Sequence, residues 1–296
     1  MKKLFLVDGN NLVMRYASVP GLNKMSHKGE LTGAIHGAVK SILGHIDRYQ
    51  PDEVGIVFDG LGASDRKRLV YAGYKAHRTS MLDSVFGQME TTRDILRAAG
   101  LFVFHEAGHD ADDVIGCLAK RLRRSVLIYT NDKDFFGAVS TRISVLRPQD
   151  EVWDVARVTE AFVPPDRFAE YLALTGDSVD GIPGLRNCGP ATAKELLSQY
   201  TWDELLRNPP PSFRKAVKKQ HKELRAFLRL TTLDSKVLSD AHLRQILPRL
   251  TPGAYSPTLF PLLRSKGLRS LEKWFATHSN GVLSNSGSIF DAVARR

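Results

Sequence analysis

VLIYTNDKD, residues 126–134, runs an apolar stretch straight into two aspartates two positions apart, Asp132 and Asp134. A short apolar run of this kind reads as a buried strand. An acid that follows it points out of the sheet's carboxyl edge, where open α/β sheets place their sites. LFLVDGNN at 4–11 and GIVFDG at 55–60 repeat the arrangement with Asp8 and Asp59. Further apolar runs at 101–104 and 143–146 add two strands, and residues 33–48, 86–99 and 111–123 carry helical spacing between them. Strands alternating with helices predict a mostly parallel central sheet covered on both faces, an α/β fold.

Beyond about residue 155 the strand signals stop, and helical segments follow at 156–162, 165–174, 190–199, 213–230 and 256–275. The expected division is an α/β lobe over 1–165, a helical lobe over 166–276, and a loosely held Ser/Gly/Asn-rich tail over 277–296. Residues 60–83 interrupt the alternation with a basic stretch that offers little to a core. No run of eighteen apolar residues exists, so no spanning helix and no membrane partner are expected. LFLV is too short for a secretory signal. Two cysteines, Cys117 and Cys188, cannot build a disulfide framework and suit a reducing cytoplasm.

Against 32 acidic residues stand 42 Lys and Arg, a net charge of +10 that favours a polyanionic partner. Nine aspartates nevertheless concentrate in a few motifs: Asp8, Asp59, Asp110, Asp112, Asp113, Asp132, Asp134, Asp177 and Asp180. Two carboxylates about 4 Å apart repel by about 4 kcal/mol at an effective dielectric of ~20. If they converge, something positive must sit among them, and oxygen ligands alone favour magnesium or manganese over zinc. Each motif also has a plainer reading. Asp8-Gly9 can be an ordinary turn. The acids of GHDADDVIGCLAKRL, residues 108–122, can cap a helix, although three acids in four positions exceed what capping needs. Asp132 can cap a turn, with Lys133 solvated, and His109 can be an exposed loop histidine.

GIPGLRNCGPATAKELL, residues 181–197, reads as a hairpin between helices, with the helix–hairpin–helix element over 182–199. Gly189 is expected to make an unusual backbone turn and Pro190 to open the helix. Exposed amides at such a helix start accept a phosphate without reading sequence. The basic residues Arg214, Lys215, Lys218, Lys219 and Lys222 follow, as a duplex-tracking face or simply a solvated one.

LVDGNNLVMRYA, IVFDG, GYKAHR, DADDVIGCLA, TNDKDF and LTGDSVDGIPG with GPATAKELL, in this order, resemble the 5′-nuclease domain of bacterial DNA polymerase I. They are equally similar to stand-alone flap endonucleases, including those of bacteriophages. The resemblance covers roughly residues 3–235, and with no polymerase sequence following, the stand-alone form is expected. It implies a PIN-like fold with a helical arch at about 60–95, and a two-metal magnesium enzyme in which manganese can substitute. The expected partner is DNA with a 5′ single-strand/duplex junction: flaps, nicks and 5′ ends. By motif position, Asp8, Asp59, Asp110, Asp112, Asp113 and Asp132 would build the first metal site. Asp134, Asp177 and Asp180 would build or support the second. Lys75 and Arg78 would steady the scissile phosphate's developing charge, and Tyr74 would stack on a base. Lys75 and Arg78 share a face if residues 66–80 are helical. Arg66, Gly184, Gly189, Lys194 and Lys215 are the further candidate DNA contacts, with a potassium ion held by hairpin carbonyls.

The chain departs from the family at Asp110, where Glu is usual, at Gly181, where Asn is usual, and in the hairpin at Asn187 and Pro190. The resemblance implies a monomer in the cytoplasm of a cell or of a phage's host, active in replication and repair. A PIN-like ribonuclease would share the strand-end acids but have no reason for the hairpin. A non-catalytic junction-binding protein would be free to lose acids that are all present here.

Overall fold

Along β1 (Lys3–Asp8) the side chains alternate between two cores: Leu4 and Leu6 enter one, Phe5 and Val7 the other. In β6 (Ser125–Tyr129), Val126 and Ile128 join the first core, and Leu127 and Tyr129 the second. Such two-sided burial is what a covered parallel sheet requires. The computed structural model describes residues 1–76, 83–278 and 281–283. The tail expected over 277–296 therefore falls largely outside the described residues.

The sheet has six strands in the order β5-β4-β1-β6-β7-β8. Parallel pairing joins β1 to β4 (Glu53–Val57) and to β6, β4 to β5 (Phe102–Phe104), and β6 to β7 (Ile143–Arg147). The edge strand β8 (Glu151–Trp153) is antiparallel to β7. β8 and the hairpin of β2 (Ser26–His27) with β3 (Glu30–Leu31) are too short to leave an apolar run in the sequence. The chain builds outward from β1 on one side and then on the other, so the carboxyl end of β1, where Asp8 sits, is the topological switch point.

On one face lie α1 (Gly9–Ala17), α2 (Gly33–Tyr49) and α4 (Asp83–Ala98). Asp8-Gly9 is not a turn but a helix entrance, in which Asp8 caps α1 by accepting from the Asn11 amide at 3.0 Å. Glycine is required at position 9 because a Cβ there would lie 2.5 Å from the Phe58 ring. On the other face, α5 (Ala111–Arg121) shares a continuous core with helices of the C-terminal half. These are α6 (Val155–Ala161), α7 (Phe168–Thr175), α8 (Pro190–Gln199), α9 (Trp202–Arg207), α10 (Arg214–Thr231) and α11 (Asp240–Ile246).

The helix expected over 256–275 is two, α12 (Leu259–Ser265) and α13 (Arg269–Thr277), parted by Gly267 at φ +66. They do not join the helical lobe's core; Leu259, Leu263, Leu271 and Phe275 pack in the core on the α2 face. A further correction concerns the arch. α3 spans only Asp65–Val70, and Lys75 lies beyond it in the left-handed region at φ 51. The helix therefore does not continue from Val70 through Ala76, and Arg78, with residues 77–82, lies outside the described residues. Among the described residues no helix is long and apolar enough to cross a membrane.

The hairpin between α7 and α8 turns through Gly176, Gly181, Gly184 and Asn187, all at positive φ. Gly189 does not make the unusual turn: it sits in extended backbone at φ −82, with open space where a Cβ would go. Asn187 carries that turn instead, as a side chain that tolerates left-handed backbone. At Gly184 (φ +75) a Cβ would stand 2.5 Å from the Gly176 nitrogen. Gly184→Ala is therefore expected to lower unfolding free energy by about 2 kcal/mol or more. Gly189→Ala, at an N-cap with room, should cost less than about 1 kcal/mol. Urea denaturation of the two variants separates these outcomes.

Candidate functional site

Three strand ends, the start of α5 and the hairpin after α7 deliver the acids to one edge of the sheet. Asp8 is buried, accepting from the Asn11 amide through Oδ1 and from the Thr130 hydroxyl, at 3.0 Å, through Oδ2. Thr130 also accepts from the Asp132 amide at 3.0 Å, which ties the ends of β1 and β6 together. Asp59 takes the Asn10 side-chain amide at 2.7 Å and the Ala111 amide at 2.8 Å, joining α1 to the start of α5. Asn10, Asn11 and Thr130 were not singled out from the sequence, although all three lie within or beside the quoted motifs.

Asp132 caps a 3₁₀ turn (Lys133–Ala138) by accepting from the Asp134 amide at 3.0 Å. Asp134 Oδ1 is buried without a hydrogen-bond partner. Asp177 Oδ2 meets Lys133 at 3.2 Å, and Asp180 Oδ1 lies 4.0 Å from Lys75 Nζ while its carbonyl accepts from the Lys75 amide. Asp110 occupies the N-cap position of α5 but makes no cap bond. Its carboxylate instead meets Lys67 at 3.1 Å, Tyr74 at 3.2 Å, Ser64 at 3.4 Å and Lys75 at 3.5 Å. Asp113 accepts from the Asp234 amide at 3.0 Å and pairs with Lys67, also at 3.0 Å. Asp112 is half-buried beside it.

The electrostatics follow from this crowding. Burial, then the charges of Asp59 and Asp132, push the Asp8 carboxyl up to about 7 against its hydrogen bonds. Burial and the neighbouring carboxylates likewise raise Asp112, Asp132 and Asp134. Asp110 runs the other way: burial works to raise it, but Lys67 and Lys75 hold it below the usual carboxylate range. Among the described residues no three acidic, His or Cys side chains form a ready-made metal cage. The positive charge among the acids is supplied by the ammonium groups of Lys67, Lys75 and Lys133. An all-oxygen donor set with an orphaned carboxylate oxygen and raised acids nevertheless fits a hard divalent cation.

The remaining expected contacts divide. Tyr74 is 1% exposed, its ring beside Lys75 Nζ, so in this conformation it faces the acids rather than a base. Arg66 is exposed and lies 2.9 Å from His109 Nε2. Lys194 is used internally, donating to the Ala161 carbonyl at 2.6 Å. Lys215 is exposed with Arg214, Lys218, Lys219 and Lys222 along the first half of α10. Gln220, unremarked in the sequence, sits at a kink in α10 (φ −102, ψ 16). Its amide donates to the Gly184 carbonyl at 3.0 Å and accepts from the Arg186 amide at 2.9 Å, clasping the hairpin.

Residues 3–163 match the family model described as 5′-3′ exonuclease, N-terminal resolvase-like domain, and residues 163–251 the 5′-3′ exonuclease, C-terminal SAM fold. The chain is 35% identical to a 5′-3′ exonuclease of Aquifex aeolicus over 215 residues, 70% of this chain and 73% of that protein. It is 34% identical to the thermostable DNA polymerase I of Thermus aquaticus over 212 residues, 70% of this chain but only 25% of the polymerase. In fold it is similar to the T5 D15 flap endonuclease, solved in a pseudo-enzyme-product complex with DNA and metal ions. That likeness has a TM-score of 0.69 at 17% identity, covering 84% of this chain and 99% of the other.

A carboxyl raised to about 7 in the folded chain holds a proton that the unfolded chain releases from about pH 4 upward. The contribution is present below pH 4 and is lost as pH rises through 7. Calorimetry in EDTA should therefore show this site weakening the protein between about pH 4 and pH 7. Asp134→Asn, which removes one repelling charge, should raise Tm at pH 8 by about 2–4 °C, equivalent to roughly 1 kcal/mol. A variant that melts lower than the parent would contradict the repulsion.

Proposed function

The chain belongs to the 5′-3′ exonuclease family, and from that premise we propose that it is a structure-specific 5′ nuclease requiring magnesium. It hydrolyses DNA phosphodiesters at single-strand/duplex junctions, as a 5′→3′ exonuclease and a 5′-flap endonuclease. The observation that carries the reading is the gathering of acids about the switch point, three lysines among them, in which one buried Asp134 oxygen has no hydrogen-bond partner.

Asp8, Asp59, Asp110, Asp112, Asp113 and Asp132 are the proposed ligands of a first ion, directly or through water, and Asp134, Asp177 and Asp180 those of a second. Bound there, divalent ions supply an acidified water and a counter-charge for the leaving 3′ oxygen. Magnesium suits the oxygen ligands, and manganese should replace it. Lys75 and Arg78 are proposed to meet the phosphate's developing charge, and Tyr74 to stack on a base once the arch moves. Arg66 is proposed to contact the strand beside the arch. The domain division proposed is an α/β lobe to about residue 165 and a helical DNA grip beyond it.

Duplex backbone is proposed to lie on the hairpin between Gly184 and Gly189 and along Lys215 and its exposed basic neighbours; Lys194, engaged with a carbonyl, adds charge rather than a direct contact. Hairpin carbonyls are the proposed seat of a potassium ion; the Gly184 oxygen, with two lone pairs, can serve Gln220 as well. The protein should act as a monomer in the cytoplasm.

An end-labelled 5′-flap duplex should be cut with magnesium and left intact without it. Asp132→Asn should slow single-turnover cutting by on the order of 100-fold or more while leaving the circular dichroism unchanged. Metal-independent cutting, or near-normal rates in that variant, would remove the two-metal reading. Binding should behave differently. Measured in calcium, duplex affinity should be indifferent to sequence and fall steeply with salt, and Lys215→Ala with Lys218→Ala should flatten that salt slope by about 1–2.

A further inference from the structure

Lys67 lies outside all six motifs of the family pattern, yet it is a cation inserted deeply among the acids. Its Nζ stands 3.1 Å from Asp110 Oδ2 and 3.0 Å from Asp113 Oδ2, so that one ammonium bridges two carboxylates. Its side chain is 15% exposed, whereas Arg68 beside it is 48% exposed. α3 has no fully buried residue, and Leu69 on it is 89% exposed. Apolar packing of this helix is confined to its C-terminal end, where Val70 and the following Tyr71 meet the core. The rest of the attachment is polar and converges on one carboxylate: Ser64, Lys67, Tyr74 and Lys75, all from the arch segment, reach Asp110.

We infer that Lys67 is a positioning residue that acts as a built-in counter-ion, holding the first metal pocket in the metal-free protein and leaving it when a divalent ion loads. The inference rests on the metal-dependent reading above. A divalent ion coordinated by Asp110 and Asp113 and the Lys67 ammonium between the same two oxygens exclude one another sterically and electrostatically. Two mutually exclusive occupants of one site are linked: each lowers the apparent affinity of the other by the same factor. Metal loading then releases the strongest polar anchor of α3, and the base of the arch becomes free where the scissile phosphate must approach. Freed from the acids, Lys67 stays tethered within reach of that phosphate, beside Lys75.

The test uses the full chain without DNA. Manganese binding, followed by electron paramagnetic resonance and calorimetry, should be about five-fold tighter or more in Lys67→Ala than in the parent. The metal-free variant should also melt lower. Lys67→Arg, which keeps the cation, should restore an affinity near the parent's. In the unmutated protein, acylation of Lys67 by an amine-reactive ester, read by mass spectrometry, should rise when manganese is added and so reports even if Lys67→Ala misfolds. Parent manganese affinity in a folded Lys67→Ala, or Lys67 acylation indifferent to manganese, overturns the inference and leaves the nuclease reading standing. Failure of the unmutated chain to bind manganese at all overturns both.

Discussion

Mutual repulsion among carboxylates at the end of one parallel sheet is the constraint on which this molecule is arranged. A parallel sheet delivers every strand end to the same edge, and here β1 and β6 finish in or beside buried acids on either side of the switch point. Hydrogen bonds from Asn10, Asn11, Thr130 and backbone amides hold the carboxylates in place, but each such bond fixes an oxygen without removing its charge. At an effective dielectric of ~20 a pair at 4 Å still opposes folding by about 4 kcal/mol. Burial first, and then the neighbouring carboxylates, raise the carboxyls of Asp8, Asp112, Asp132 and Asp134. Such a cluster is a poor contributor to stability and a strong attractor of cations, a combination that suits a site whose task is binding rather than scaffolding.

The local rules of helix capping explain which acids are strongly oriented. Asp8 and Asp132 each cap the helical turn that follows their strand, so their carboxylates are aimed by ordinary secondary-structure chemistry. Capping engages Oδ1 in both, and in Asp8 the Thr130 hydroxyl takes Oδ2 as well. Asp110 stands at an N-cap and does not cap. The acid released from that local duty is the one on which the arch segment converges.

Much of this was legible in one sequence because its signals are local. A buried strand needs an apolar run, and an acid soon after it is carried to the sheet edge by geometry alone; that made the α/β fold and the placement of Asp8, Asp59 and Asp132 readable. β8 was not readable, since a three-residue edge strand has no period to detect. Gly189 drew a wrong expectation because glycine advertises a turn, whereas the neighbouring Asn187 performs it. The separate placement of α12 and α13 depends on which face their apolar residues meet, and helical spacing is silent on that. Lys67 and Gln220 were invisible for a related reason. In RKR and KKQHK they look like solvated side chains of basic helices, and only tertiary packing turns one toward Asp110 and the other toward Gly184.

The aspartate at position 110 gains meaning from the same geometry. Its side chain is short, and it stands where Lys67, Lys75, Tyr74 and Ser64 all meet it. The two lysines hold its carboxyl below the usual range while its neighbours are raised. Asp110 meets two lysines, Asp113 and Asp177 meet one each, and Asp8, Asp112, Asp132 and Asp134 are raised by burial and by their neighbours. A divalent ion would gain most from the raised acids and would have to compete with Lys67 for the two that it bridges.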